Sequence, residues 1–383
     1  MTLRQYLRRY REDERLLTGA YYPTERIVVE RGDTVGVVLF HSGGPESADQ
    51  VRPFLYEVFM DPARYAFPGH RSCRAALGSI GAIVQGRALR KQFDSVGGAS
   101  PLASLARDQA ASLESCLCAR QSQSPGVRFR VYATMRYGRP NAVEVARRMR
   151  EDSVTKVVLL PSFPQYSKST TGSALAHWWH LEQEGTMPAR LTVAVMEYAT
   201  NDKYIRAIGE RIDETLQRFC SRTCTDVPIL FSAQGSRARK IEERGDPYSD
   251  AVHATVGRVM AVRGHDRPHV VAFHGGMYPL SWSSAAFLEA LASLRRQGHA
   301  AVLVAPITAV AEGLDTTYTL DIALRQLAWR TGFKHVEVAP TLNDHSLYIE
   351  ALADLTRERL ARRSGTDAAL TPEVPVRAEL VPL

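Results

Sequence analysis

The chain has 383 residues, 45% of them hydrophobic, enough for a large core and, on length alone, for two domains. Its 48 Lys and Arg against 41 Asp and Glu leave a formal charge of +7, but the basic residues are mostly scattered, which argues against a nucleic-acid partner. There is no apolar leader at the N-terminus and no run near the roughly 20 apolar residues of a membrane span, so a cytoplasmic protein is expected, with peripheral membrane contact left open.

The densest basic run, RQYLRRYREDER, comes first, with Leu3, Tyr6, Leu7 and Tyr10 at helical spacing. It reads as a docked surface helix in an N-terminal extension over residues 1–33, a membrane or nucleic-acid arm being the alternative. The run TVGVVLF then leads into HSGGPES, FRVYATM into RYGRP, KVVLLPSF into PQYSKSTTGS, and LTVAVME follows. The same form recurs in VPILFSA before QGSR, in HVVAFHG, and in HAAVLVAPIT before AVAEGLD. Strand, loop and helix in repetition predict an α/β fold with mostly parallel sheets, whose ligands collect beyond the carboxyl ends of the strands. The Pro- and Ala-rich end reads as a flexible tail, and no internal sequence repeat is apparent.

The five cysteines are Cys73, Cys116, Cys118, Cys220 and Cys224. They are odd in number and lack zinc spacing, so free thiols in a reducing compartment are expected. The CxxxC of Cys220 and Cys224 is too weak a signal for an iron–sulfur cluster, and no cofactor is required by the sequence.

Several loops carry the chemistry. In HSGGPES, Gly43 and Gly44 permit a tight turn and close backbone approach, and Glu46 or Ser47 can cap a helix starting near Ala48. The absence of a GK[ST] ending disfavours nucleotide phosphates and leaves a wall for a flat or bulky ligand. FDSVGGASP repeats the device at Gly97 and Gly98. In FPQYSKSTTGS, Pro164, Thr170, Thr171 and Gly172 constrain a loop that presents Tyr166, and a purely structural loop fits that segment equally well.

Together these segments resemble the ferrochelatase family, which inserts ferrous iron into porphyrins. The resemblance runs through VVLFHSGGPESADQVRPFLYEVFMDP, VGGASP, TMRYGRP, LLPSFPQYSKSTTGS, ILFSAQGS with RGDPYSDAV, GLDTTYTLDI and LNDHSLYIEALADL, in family order from Thr34 to Thr356. It implies two Rossmann-like domains with a porphyrin cleft between them. The first would take residues 34–195 and 345–365, the latter as a returning C-terminal helix, and the second residues 196–344; residues 366–383 form the tail.

The departures from the family pattern are as informative. The catalytic histidine after the FSA strand is Gln234 here, and the glutamate after the last long strand is Asp315. The family's histidine two residues before that glutamate is Gly313, and a further acidic position is Thr319; Glu312 keeps an acid. An amide cannot accept a pyrrole proton near neutral pH, and a positioned base typically contributes roughly 100- to 10,000-fold in rate. Asp315, Glu312 or His274 is then left to take protons, with Gln234 orienting the ring or a water. His41 stands where many members have Asn, and His274 replaces a glutamine; with Asp315 they are the candidate metal ligands, although a lone histidine at a strand end is more often hydrogen-bonded structure. Ser42, Arg136, Tyr137, Tyr166, Ser167 and Trp282 fall at substrate-binding positions, and Arg136 and Arg237 could pair with propionates. Three functions follow: ferrous-iron insertion into a porphyrin, haem or porphyrin binding without metallation, or a cleft turned to other chemistry. The oligomeric state is not legible.

Overall fold

The structure, a computed structural model, describes residues 13–64, 71–98, 100–119, 126–219, 227–235, 245–274 and 284–362. The expected helix over residues 3–10, the tail after residue 362, Cys220, Cys224 and the side chain of Cys73 lie outside them. Cys116 and Cys118 are free thiols.

A short helix, α1 (Arg15–Thr18), and a short strand, β1 (Ile27–Val29), precede the first sheet. That sheet takes β2 (Thr34–His41), β3 (Arg128–Met135), β4 (Lys156–Pro161) and β5 (Leu191–Ala194). Its connections carry α2 (Val51–Met60), α3 (Arg71–Ser95), α4 (Leu102–Ala119), α5 (Ala142–Glu151) and α6 (Ser173–Gln183). After α7 (Asp202–Leu216) comes a second sheet of β6 (Ile229–Gln234), β7 (His269–His274), β8 (Ala301–Pro306) and β9 (His335–Val338). It is connected by α8 (Tyr248–Val262), α9 (Ser284–Arg296) and α10 (Arg325–Arg330). Finally α11 (Ser346–Glu358) returns onto α4 and α7, and β10 (Leu360–Arg362) pairs with β1.

Every pairing in both sheets is parallel, and all seven apolar runs form strands. The α/β expectation therefore holds. β2 is buried along its whole length, as the unbroken TVGVVLF run requires of a strand covered on both faces. The sheet orders are β3-β2-β4-β5 and β7-β6-β8-β9. In each, the first strand lies between the second and third, so the connections diverge beside β2 and again beside β6. Such points open a crevice at the strand carboxyl ends.

The registers make the two halves comparable position by position. Phe40 pairs with Pro161 and Ser232 with Pro306, so Ser42, one residue beyond β2, is the counterpart of Gln234. Alternation assigns the faces. Val35, Val37 and Leu39 join Phe231 and Ala233 in one large core that includes residues of both sheets. Leu230 and Ala272 belong to a separate core of the second half, with Phe287 and Leu320.

Gly43 has φ +83°, and a Cβ there would lie 1.8 Å from the Tyr137 carbonyl oxygen. The loop after β2 thus needs glycine for both conformation and space, as its sequence implies. Gly43→Ala is expected to cost about 1–3 kcal/mol, read as a lowered thermal midpoint. The expected helix start near Ala48 is displaced: α2 begins at Val51, and neither Glu46 nor Ser47 caps it. The Gln50 side chain turns back to accept from the Glu46 N–H at 3.1 Å, and Ser47 accepts the Gln50 N–H through its carbonyl.

Candidate functional site at the carboxyl end of β6

Gln234 is the last residue of β6, and its side chain is exposed. Its N–H donates to Thr308 Oγ1 at 2.9 Å, its carbonyl accepts from the Tyr248 hydroxyl, and its amide Nε2 donates to Asp315 Oδ2. Asp315 begins a π-helical segment, Asp315–Leu324, a rare conformation found frequently at functional sites. Its start is fixed by Thr316 and Thr317, whose hydroxyls donate to the Gly313 carbonyl, each at 2.9 Å. Two of the expected residues, Gln234 and Asp315, are therefore in direct contact.

Burial raises the Asp315 pKa above the usual aspartate value, while the positive charge of Arg64 and the Gln234 amide act against that rise. Arg64 belongs to the first half, where its guanidinium lies 5.4 Å from the centre of the Tyr137 ring. Leu314, next to Asp315, packs on the apolar cluster that α2 and α3 form with Leu55, Phe59 and Phe93. The first half thus supplies both a counter-charge and an apolar support to the acid of the second.

His274 ends β7 in register with Gln234. Its ring is buried and stacked on Phe287, with centroids 5.0 Å apart at 22°, and burial lowers its pKa to about 4. A neutral imidazole so held is a poor proton acceptor near pH 7. His41 is also buried, with its pKa lowered to about 4 by burial. Its Nδ1 lies 3.2 Å from Ser162 Oγ, and its Nε2 has no hydrogen-bond partner among the described residues. The two histidines do not share a sheet face. His41 continues the Leu39 face toward the common core, whereas His274 follows Ala272 toward the outer core of the second half.

Arg136 and Tyr137 have other partners than a substrate. Arg136 Nη2 pairs with Asp61 Oδ2 at 2.8 Å, and its Nε donates to Ser173 Oγ at 2.9 Å. The Tyr137 hydroxyl and Ser173 Oγ both donate to the same Asp61 oxygen, at 2.6 and 2.5 Å, while the Ala63 N–H donates to Oδ1 at 2.7 Å. The expected arginine for a propionate is engaged in a buried internal network. Tyr166 likewise points away from a ligand role: its hydroxyl donates to the Leu16 carbonyl at 2.8 Å and so holds the N-terminal segment. Ser167 donates to Asp246 Oδ2 at 3.0 Å. Glu312 accepts from the Thr341 N–H at 2.9 Å and from its hydroxyl at 3.2 Å, bracing the loop after β9 rather than facing Gln234. Ser42, half-buried, makes a long 3.5 Å contact to the Gly43 carbonyl. Gly313 and the buried Thr319 lack a titratable side chain; Trp282 and Arg237 lie outside the described residues.

Among the described residues no group of three or more His, Cys, Asp and Glu side chains could hold a metal ion, and no helix is long and apolar enough to cross a membrane. A shallow polar pocket lined by Thr34, Arg128, Arg130, Glu151, Asp152 and Ser153 lies at the opposite, amino-terminal edge of the first sheet, away from this chemistry.

The sequence profile of the Ferrochelatase family matches residues 34–360. The chain belongs to the ferrochelatase family. It is 31% identical over 329 residues to the ferrochelatase of Gloeobacter violaceus, covering 85% of this chain and 98% of that protein. It is also 31% identical over 331 residues to that of Trichodesmium erythraeum, covering 85% and 82%. Among solved structures, SirB from Bacillus subtilis with Fe3+ is similar over 86% of this chain and 96% of that one, with a TM-score of 0.49 and 10% identity. Gln234 and Asp315 both fall inside the matched region. Sequence reading missed Arg64, Tyr248 and Thr308. Only the RGDPYSDAV segment hinted at one of them, since it carries Tyr248.

Proposed function

We propose that the protein inserts ferrous iron into a porphyrin lying between the carboxyl ends of the two sheets, with Asp315 as the acceptor of pyrrole protons and Gln234 as its holder. The observation that carries this reading is the hydrogen bond from the Gln234 amide, at the carboxyl end of β6, to Asp315. Metallation replaces two pyrrole N–H protons by one divalent iron, so each N–H bond yields its proton to an acceptor as a nitrogen lone pair binds the metal. Asp315 is the ionisable side chain joined to the β6 end. Its burial brings its pKa toward the working range, where a carboxylate takes a proton and passes it on more readily. Gln234, unable to titrate, fixes the direction of the carboxylate.

The full-length protein, given ferrous iron and protoporphyrin or coproporphyrin without oxygen, is expected to form haem faster than a protein-free control. Equal rates would overturn the reading. A second reading is favoured by the unpartnered Nε2 of the neutral His41: a haem-binding protein that does not metallate, with His41 or His274 as the iron ligand. Haem titration separates the two, since tight binding lost in His41→Ala or His274→Ala, without haem formation, supports the second.

A further inference from the structure

The loop after β4 and the strand end that carries Gln234 belong to different halves, yet a series of direct contacts joins them. Leu16 is fully buried and its carbonyl receives the Tyr166 hydroxyl. Gly172, at the end of the π-helical turn Lys168–Gly172, has no room for a side chain: a Cβ would come within 2.8 Å of the Leu16 carbonyl oxygen. The N-terminal segment is thus pressed on the Tyr166 loop. From that loop Ser167 Oγ and the Lys168 N–H both donate to Asp246 Oδ2, at 3.0 and 3.1 Å. Asp246 Oδ1 accepts the Tyr248 N–H at 3.2 Å, and the Tyr248 hydroxyl donates to the Gln234 carbonyl.

We infer that Asp246 is a positioning residue for the Gln234–Asp315 pair, joining the loop held by the N-terminal segment to the end of β6 through Tyr248. Each of its carboxylate oxygens serves a different half: Oδ2 binds the first-half loop, and Oδ1 orients the first turn of α8, from which Tyr248 reaches Gln234. The Gln234 backbone is gripped from two sides, by Tyr248 at its carbonyl and by Thr308 at its N–H. A shift in that backbone redirects the amide that holds Asp315, and misplacement of about 1 Å in a reacting group costs on the order of 100-fold in rate. The simpler role for Asp246 is to cap α8 alone, and a cap would act on α8 without altering β6.

The catalytic arm of the test rests on the function proposed above; the structural arm does not. Asp246→Ala, Asp246→Asn and Tyr248→Phe are made in the full-length chain, and backbone hydrogen exchange is followed over residues 231–235 and 248–262. Asp246→Ala and Tyr248→Phe are each expected to speed exchange at 231–235 by about tenfold, as loss of a local restraint does. The double variant should be no faster than the faster single one, because both act through one contact. In metallation with ferrous iron and protoporphyrin, kcat should fall by about tenfold or more with KM held within about twofold, and Asp246→Asn should restore part of the loss. Unchanged exchange at 231–235 in Asp246→Ala, with faster exchange confined to 248–262, assigns Asp246 to capping and overturns the inference. If Asp246→Ala does not fold, Asp246→Asn and Tyr248→Phe make the same comparison; if the wild-type protein forms no haem, the exchange result alone decides.

Discussion

Asp315→Asn is expected to lower porphyrin metallation by about 100- to 10,000-fold while raising the thermal midpoint near pH 7. Both effects come from one cause. Burial lifts the folded-state pKa of Asp315 above the ordinary aspartate value, with Arg64 and the Gln234 amide only partly offsetting it. A carboxyl whose folded pKa is raised stabilises the fold fully when protonated, below its unfolded pKa, and that contribution is lost as pH rises through the folded pKa. At neutral pH the ionised group is therefore a cost to folding, and the neutral amide of Asn removes it. The same ionised group is the one the reaction needs, so activity of the wild type should fall on the acid side at a pH above the ordinary aspartate value. The residual activity of Asp315→Asn should lack that limb. Rates from pH 4 to 8, together with melting curves, check the prediction; a variant with wild-type rate, or one that melts lower at pH 7, contradicts it.

The strands were legible because parallel strands buried on both faces must be written as unbroken Val, Ile and Leu runs, and TVGVVLF, KVVLLP and VPILFSA are that. Gly43 was legible for a similar reason: a glycine pair after a buried strand has few other uses, and the structure leaves no space there for a Cβ. The matching strand orders of the two sheets were not, since topology lies in which runs become neighbours, and no sequence repeat marks it. His41 and His274 illustrate what local pattern leaves out. VVLFH and VVAFH read alike, yet one histidine faces the common core and the other stacks on Phe287. The difference lies in how each sheet face is covered, which depends on helices far along the chain. Arg136 and Tyr137 read as ligand-binding residues because of their place in the family-like segment TMRYGRP. Their partner, Asp61, lies about 75 positions earlier, where it reads as an ordinary polar residue ending a helix.

Asp61→Ala is expected to cost about 3–5 kcal/mol of stability, the range for removing one partner of a buried ion pair. The Asp61 side chain is fully inaccessible and that of Arg136 is 14% exposed. Burial alone would raise the Asp61 pKa, but Arg136 and the donors from Ser173, Tyr137 and Ala63 outweigh it and leave the pKa below the usual value. Truncation strands a guanidinium, a phenol and a hydroxyl that were all turned toward one carboxylate. The sign with pH follows: stability from a depressed carboxyl is present above its unfolded pKa near 4 and is lost as pH falls through the lower folded pKa. The difference between wild type and Asp61→Ala in urea unfolding should therefore be full at pH 7 and shrink below about pH 4. Arg136→Met should also destabilise, by leaving the carboxylate uncompensated, whereas Asp61→Asn with Arg136→Met should lose less than the sum of the two single changes, because neither charge then remains buried alone. A cost below about 1 kcal/mol for Asp61→Ala, as for an exposed pair, would mean that the network contributes little to the fold.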